Sequence, residues 1–203
     1  MYAIVEDNNI TQYINFPKSV IIGDVRYPAK IFQLWSKSEK EAIGIYEIVV
    51  DKTNFKDPEY YINTNEEYNF ADNQVTRSWG TATPRRLEDE NAVDENDDPV
   101  LDSDGVQIIN YGLKTEKKRI VKQQASGLLA PTDWYVVKAT EVADYSVPEN
   151  VTTFRSDVRA KSNEMETQIN ACTNVDELKA LYEYTEQEDG TITRPLAEFP
   201  KEI

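Results

Sequence analysis

Residues 148–172 read PENVTTFRSDVRAKSNEMETQINAC, and the spacing of their apolar side chains sets the architecture. Val151, Phe154, Val158, Met165, Ile169 and Cys172 recur at helical intervals with polar residues between them. Pro148 suits a first helical turn, because its ring presets φ and its missing N–H is not needed there. At 1.5 Å per residue the stripe runs for roughly 33 Å. Such a helix packs on neighbours within its own chain or presents a partner surface.

Upstream, residues 114–129 are rich in helix formers, and Ile120, Val121, Gln124 and Leu128 predict the inward stripe. Pro131 follows its end. Thr132 and Asp133 predict the cap of a short helix carrying Trp134, Val136 and Val137, with Trp134 anchored on Leu128 and Leu129. Downstream, Thr173 with Asp176 resembles a capping box for a last helix over 175–184, with Leu178, Leu181 and Tyr182 inward. Residues 186–203 contain Pro195, Pro200 and several acids and read as an extended tail.

The first part of the chain is β-rich. Residues 2–5 and 10–16 predict two strands joined at Asn8-Asn9. Residues 20–22 and 25–27 flank Gly23-Asp24 as a second hairpin. Ile31, Phe32, Leu34 and Trp35 form an apolar knot. Ser36 or Ser38 caps a short helix over 39–43, and Gly44 stops it. Strands are expected over 45–50, 59–65 and 75–83, with a turn at Ala71-Asp72-Asn73-Gln74. The fold class expected is therefore α+β: a small β-rich N-terminal module at 1–85, an acidic linker or loop at 86–113, a helical C-terminal module at 114–185 with one long helix, and an extended tail at 186–203. No repeat with a period of about 20–50 residues is visible.

Composition narrows the function. The chain has 203 residues, a formal net charge of −15 and no histidine. A surface that negative repels phosphate backbones and anionic lipid heads, so neither nucleic acid nor membrane is expected as a partner. The absence of histidine removes the commonest general base and metal ligand, and every Ser-His or Cys-His pair. Cys172 is alone, which excludes an intrachain disulfide and a cysteine zinc site. No apolar run approaches the length of about 20 residues that a membrane helix needs. The N-terminus lacks a basic segment and signal core, so use without export is expected. No phosphate loop, dinucleotide glycine fingerprint or nucleophile elbow occurs.

Charge is unevenly placed. Residues 86–105 hold one basic and nine acidic groups, and residues 106–130 hold five basic and one acidic. Asp102-Ser103-Asp104-Gly105 resembles the middle of a calcium loop, but Val100 and Tyr111 stand where that loop needs acids. A solvated acidic loop is the preferred reading, with an irregular cation site as the alternative. Lys114, Lys117, Lys118, Arg119 and Lys122 read as a polar helix face offsetting that block. Tyr46, Tyr60, Tyr61 and Tyr68, with Trp79, read as half-buried strand residues before they read as interface anchors. Cys172 on its apolar face reads as a buried structural thiol.

Two stretches are similar to known sequences. Arg119, then Leu128-Leu129-Ala130-Pro131-Thr132-Asp133-Trp134, then Phe154-Arg155 and Val158-Arg159, resembles the C-terminal motif of tailed-phage tail assembly chaperones and tail-fibre assembly proteins. Tyr27-Pro28, Leu34, residues 41–45 and residues 84–89 resemble an N-terminal module of similar phage proteins. The family's aromatic before the arginine is usually Tyr, where this chain has Phe154, and its motif usually ends soon after the last arginine, where this helix continues.

The resemblance implies a non-enzymatic structural or interaction protein of a tailed bacteriophage. It would be made in the host cytoplasm and kept in the virion, in the tail or tail-fibre apparatus. Its partners would be other virion proteins such as tail or fibre subunits, or further copies of itself. Leu128, Leu129, Thr132, Asp133, Trp134, Phe154, Arg155 and Val158 are the signature residues, with Arg155 expected to pair with Asp133 or Asp157. No catalytic residue, metal or cofactor is expected. A non-virion assembly chaperone is the alternative, and a carbohydrate-binding or carbohydrate-acting protein is the third.

Overall fold

The computed structural model, which describes residues 1–203, begins with a hairpin of β1 (Tyr2–Glu6) and β2 (Asn9–Ile14). The turn sits at Asp7 and Asn8, with φ of 50° and 63°, one residue before the position the sequence suggests. Asp and Asn visit this left-handed region at low cost, and it matches the strand twist. The second hairpin, β3 (Val20–Ile22) and β4 (Val25–Tyr27), follows as expected. Helix α1 (Ile31–Leu34) buries Ile31 and Phe32, but its Leu34 faces solvent.

Helix α2 (Lys37–Glu41) starts on a capping box. Ser36 accepts from the Glu39 amide, and the Glu39 carboxylate accepts from the Ser36 amide at 2.7 Å. Those bonds hold the Glu39 carboxyl below its usual range, with the Ser36 side chain the largest cause. Gly44 then turns the chain at φ +82°, where a Cβ would lie 2.6 Å from the Val5 carbonyl oxygen.

β5 (Ile45–Val50) forms as expected. The expected strand over 59–65 shrinks to β6 (Tyr61–Ile62). The sequence reading missed β7 (Glu67–Ala71), which precedes β8 (Gln74–Ser78) across a turn with Asp72 and Asn73 at φ 51° and 57°. β9 (Thr83–Pro84) pairs with β6. The five-stranded sheet has the order β2-β1-β5-β8-β7 and is antiparallel except where β5 runs parallel to β8. It curls into a half-barrel, bringing Tyr13 of β2 within 4.6 Å of Tyr68 of β7, ring centroid to centroid.

Curling buries β1 on both faces. Ile4 packs with Ile14, Val20, Ile31, Phe32 and Ile45, whereas Ala3 and Val5 pack with Ile48 and Val75. Alternation along a strand divides the residues this way. The aromatics fill the module rather than forming a platform. Tyr60, Tyr61 and Trp79 are buried, Tyr46 stacks on Phe70 at 4.7 Å, and Phe55 stacks on Trp79 at 4.8 Å.

The chain divides at Pro84 into two compact units, Met1–Pro84 and Arg85–Ile203. The acidic segment is no linker; it folds as part of the second unit. β10 (Glu90–Asn91) pairs with β11 (Ile109–Asn110), and isolated bridges join Val93 to Pro99 and Leu101 to Gln107. Three backbone hydrogen bonds close a ring. The Ala92 amide donates to Ile108, the Ile108 amide to Val100, and the Val100 amide to Ala92, at 2.8–2.9 Å. These residues are eight apart, so the ring exposes an eight-residue repeat that a search at longer periods does not reveal. The Gln107 amide nitrogen lies 2.8, 3.2 and 2.9 Å from the carbonyls of Ala92, Val100 and Ile108.

The two turns of the repeat are equivalent. Asp94 accepts from the amides of Asn96 and Asp98, and Asp102 from those of Asp104 and Val106. Asp97 and Gly105 take the left-handed position in each. The backbone amides, that of Asn96 first, hold the Asp94 carboxyl below its ordinary value. The Asp102 carboxylate accepts from the backbone of its own turn, and no group of three or more acidic or cysteine side chains is placed to hold a metal ion.

Helices follow. α3 (Leu113–Leu129) and α5 (Glu149–Ala171) pack along one another, with a 3-10 turn at Ala130–Thr132 and α4 (Asp133–Glu141) between them in sequence. Val151, Phe154, Val158, Met165, Ile169 and Cys172 are all buried, as the stripe predicts. The inward face of α3 is Leu113, Lys114, Lys117, Val121 and Ala125; Ile120 faces outward, which corrects the predicted stripe. Lys114 and Lys117 reach that face by laying their stems along it, with Lys114 paired to Glu88 and Lys117 over the Tyr182 ring.

α6 (Val175–Ala180) is shorter than expected, and its N-cap is Asn174, which accepts from the Glu177 amide, rather than Thr173 with Asp176. Thr173 and Asn174 together keep the Glu177 carboxyl below its usual range, the Thr173 amide most. The tail is docked, not free. β12 (Thr185–Glu186) pairs with β13 (Ile192–Thr193), Leu196 is buried, and Gln168 bonds both Pro195 and Ala197. The Cys172 thiol donates to the Gln168 carbonyl, and burial raises its pKa, as an inert structural thiol requires.

Candidate interaction surface

The signature residues converge where α3 hands over to α4. The α3 helix ends against Pro131, so its last carbonyls need partners from elsewhere. Arg155, from the second turn of α5, supplies one for Leu129. Its Nη1 donates to the Leu129 carbonyl at 3.0 Å and to Thr132 Oγ1 at 2.5 Å, and lies 2.8 Å from Asp133 Oδ1. Thr132 Oγ1 in turn donates to the Leu129 carbonyl at 2.7 Å. Arg155 is only 9% exposed.

A buried guanidinium is costly unless it is partnered, and here Nη1 ties together the end of α3, the 3-10 turn and the start of α4. Of the two acids expected to pair with it, Asp133 does. Neither Thr132 nor Asp133 caps α4 through its side chain, contrary to the sequence reading; Thr132 is committed to Leu129 and Asp133 to Arg155.

Beneath the clasp, Phe154 and Val158 form a cluster with Ala125, and Leu128, Leu129 and Phe199 pack against it. Six carbon-rich side chains from α3, α5 and the tail thus fix the clasp from below. Seven of the eight signature residues contribute either to the clasp or to this cluster.

Trp134 is the exception. It is 51% exposed, and its indole stacks on Tyr135 at 3.8 Å with the Lys138 ammonium 5.7 Å away. It does not anchor the helical module on Leu128 and Leu129, which corrects that expectation. Leu128 and Leu129 pack instead against Phe154, Val158 and Ala125, and Phe199 covers the same cluster. No residue of α4 is buried, and Val136, Val137 and Val142 are exposed as well. Exposed apolar side chains grouped on one short helix mark an interaction site more often than a random surface does.

Beside α4, a cavity of about 440 Å³ is lined by Val136, Val147, Thr152, Arg155, Ser156 and Arg159. Arg159 bonds only the Arg155 carbonyl and has no carboxylate partner. The sequence reading did not single out this cavity; the i, i+4 spacing of Arg155 and Arg159 was its visible trace. Comparison with known proteins gives no match to the chain. No family model, no curated protein and no solved structure is similar to it. The surface therefore rests on its own geometry.

Proposed function

We propose that this chain is a non-enzymatic structural or interaction protein of a tailed bacteriophage, retained in the virion as part of the tail or tail-fibre apparatus. The observation that carries the reading is the Arg155 clasp. Arg155 lies on a helix distant in sequence from Leu129, Thr132 and Asp133, yet all four belong to the resembling motif and form one bonded unit. A motif that serves as a fold signature should do that. Next to the clasp, Trp134 and the valines of α4 stand exposed and offer apolar surface to a neighbouring subunit. Tryptophan is among the side chains that dominate interface energetics. The β-rich unit would dock or present, and the helical unit would contact the neighbour.

Mass spectrometry of purified particles, with peptide counts scaled to the capsid protein, tests this. A fixed copy number per particle supports a virion subunit. Absence from particles with abundance in the lysate selects the assembly chaperone instead. A Trp134→Glu variant then probes the surface: copy number in particles should fall while the soluble chain stays folded by circular dichroism.

A further inference from the structure

The outer side of α3 carries a groove of about 510 Å³ lined by Tyr111, Thr115, Glu116, Lys118, Arg119 and Lys122. It is the basic part of an acidic chain. Its cations are only loosely engaged. Lys118 donates to Asn170, Arg119 pairs with Glu116 on the same helix, and Lys122 lies 3.3 Å from Glu166. The Arg119 and Lys122 side chains are 72% and 66% exposed, and exposed pairs of this kind contribute little. Little energy therefore opposes their re-pairing with a denser set of carboxylates.

The same unit offers such a set. The eight-residue repeat ends in turns bearing Asp94, Glu95, Asp97, Asp98, Asp102 and Asp104, and residues 90–113 contain no lysine or arginine. None of these six acids forms an ion pair within the chain. The hydrogen-bond ring holds the two turns together as one unit, and Lys118, Arg119 and Lys122 of α3 find their partners elsewhere, at Asn170, Glu116 and Glu166.

We infer that the α3 groove is a docking site for a second copy of this chain, which inserts its acidic repeat between Lys118, Arg119 and Lys122. Charge complementarity selects this occupant. The net charge of −15 opposes association at long range, but at about 0.1 M salt the Debye length is about 10 Å, so the contacting groups outweigh distant ones. Groove and acidic repeat are different surfaces, so the contact is heterologous and builds a ring or an open row of subunits. This inference is independent of the virion reading, because it concerns the isolated chain.

Sedimentation velocity tests it, over concentrations from micromolar to hundreds of micromolar. At about 0.1 M salt the wild type should associate in a concentration-dependent way, and at about 1 M salt it should be monomeric. A groove variant, Lys118→Glu with Arg119→Glu and Lys122→Glu, and a repeat variant, Asp97→Lys with Asp98→Lys and Asp104→Lys, should each stay monomeric at low salt. Mixed together they should form a discrete two-chain complex, because one retains a groove and the other an acidic repeat. Circular dichroism establishes that each variant is folded; if a triple variant is not, single reversals at Arg119 and Asp98 serve instead and should weaken association at least tenfold. A wild type that stays monomeric, a folded variant that associates like wild type, or a mixture without a complex overturns the inference.

Discussion

Replacing Arg155 by alanine should destabilise the helical unit more than any change at the exposed α4 face. The size follows from the contacts. Two buried bonds to neutral acceptors, Leu129 and Thr132, are lost, and each bond to a charged donor is worth about 1.5 kcal/mol or more. The ion pair adds at most about 0.5 kcal/mol, because the Asp133 side chain is 60% exposed. Burial of the arginine stem adds about 1–2 kcal/mol, and relief from desolvating the guanidinium offsets a similar amount. The net loss is about 3 kcal/mol. Arg155→Lys keeps most of the stem and the charge but is shorter than the reach of Nη1, so it holds fewer of the three acceptors and should cost about half as much. Asp133→Asn should cost under about 1 kcal/mol.

Urea unfolding followed at 222 nm measures the series, because the long helices that dominate this signal, α3 and α5, lie in the second unit. The order Arg155→Ala, Arg155→Lys, Asp133→Asn is the content of the prediction. If Asp133→Asn costs as much as Arg155→Ala, the clasp works through its ion pair, and the assignment to the Leu129 and Thr132 bonds is wrong.

Three further outcomes are expected. Trp134→Ala should cost about 1–2 kcal/mol in the same assay, since only half the indole is covered; a loss above about 4 kcal/mol would mean the side chain is a core anchor after all. Gly112→Ala should cost about 3 kcal/mol, because the new Cβ would lie 2.4 Å from Glu88 backbone and break the Gly112, Leu113 and Lys114 amide bonds to residues 86–89; unchanged hydrogen exchange at those amides would refute it. Asp94 has a folded pKa below its unfolded value, so its contribution is present above the ordinary carboxylate pKa near about 4 and is lost as pH falls through the lower folded value. The amide resonances of Asn96 and Asp98 should report that titration, and movement above the ordinary range would contradict it.

Much of this was legible because single residues carry single physical consequences. Pro148 and the stripe from Val151 to Cys172 gave the long helix, since only one face of a helix that length finds cover. Gly23 and Gly44 gave their turns. What sequence reading missed was tertiary. Lys117 occupies an inward position that hydropathy assigns to Ile120, because Tyr182 receives its ammonium. Trp134 looks like a core residue by type, yet it lies on a helix none of whose residues is buried. The acidic block reads as a linker by charge, because the amides that satisfy Asp94 and Asp102 belong to the turns those residues create. The Arg155 to Asp133 pairing was readable in part; the bond to the Leu129 carbonyl was not, because a backbone carbonyl leaves no mark in sequence, and the Thr132 hydroxyl read as a helix cap instead.

The ring joining Ala92, Val100 and Ile108 also constrains how the gene can change length. Removing one eight-residue period leaves two strands, which cannot close a ring and expose fresh edges to aggregation. Lengthening a turn between strands leaves every ring bond in place. Deletion and insertion scanning across residues 92–108 should therefore be asymmetric, with insertions accepted after Asn96 or Asp104 and in-register deletions lost.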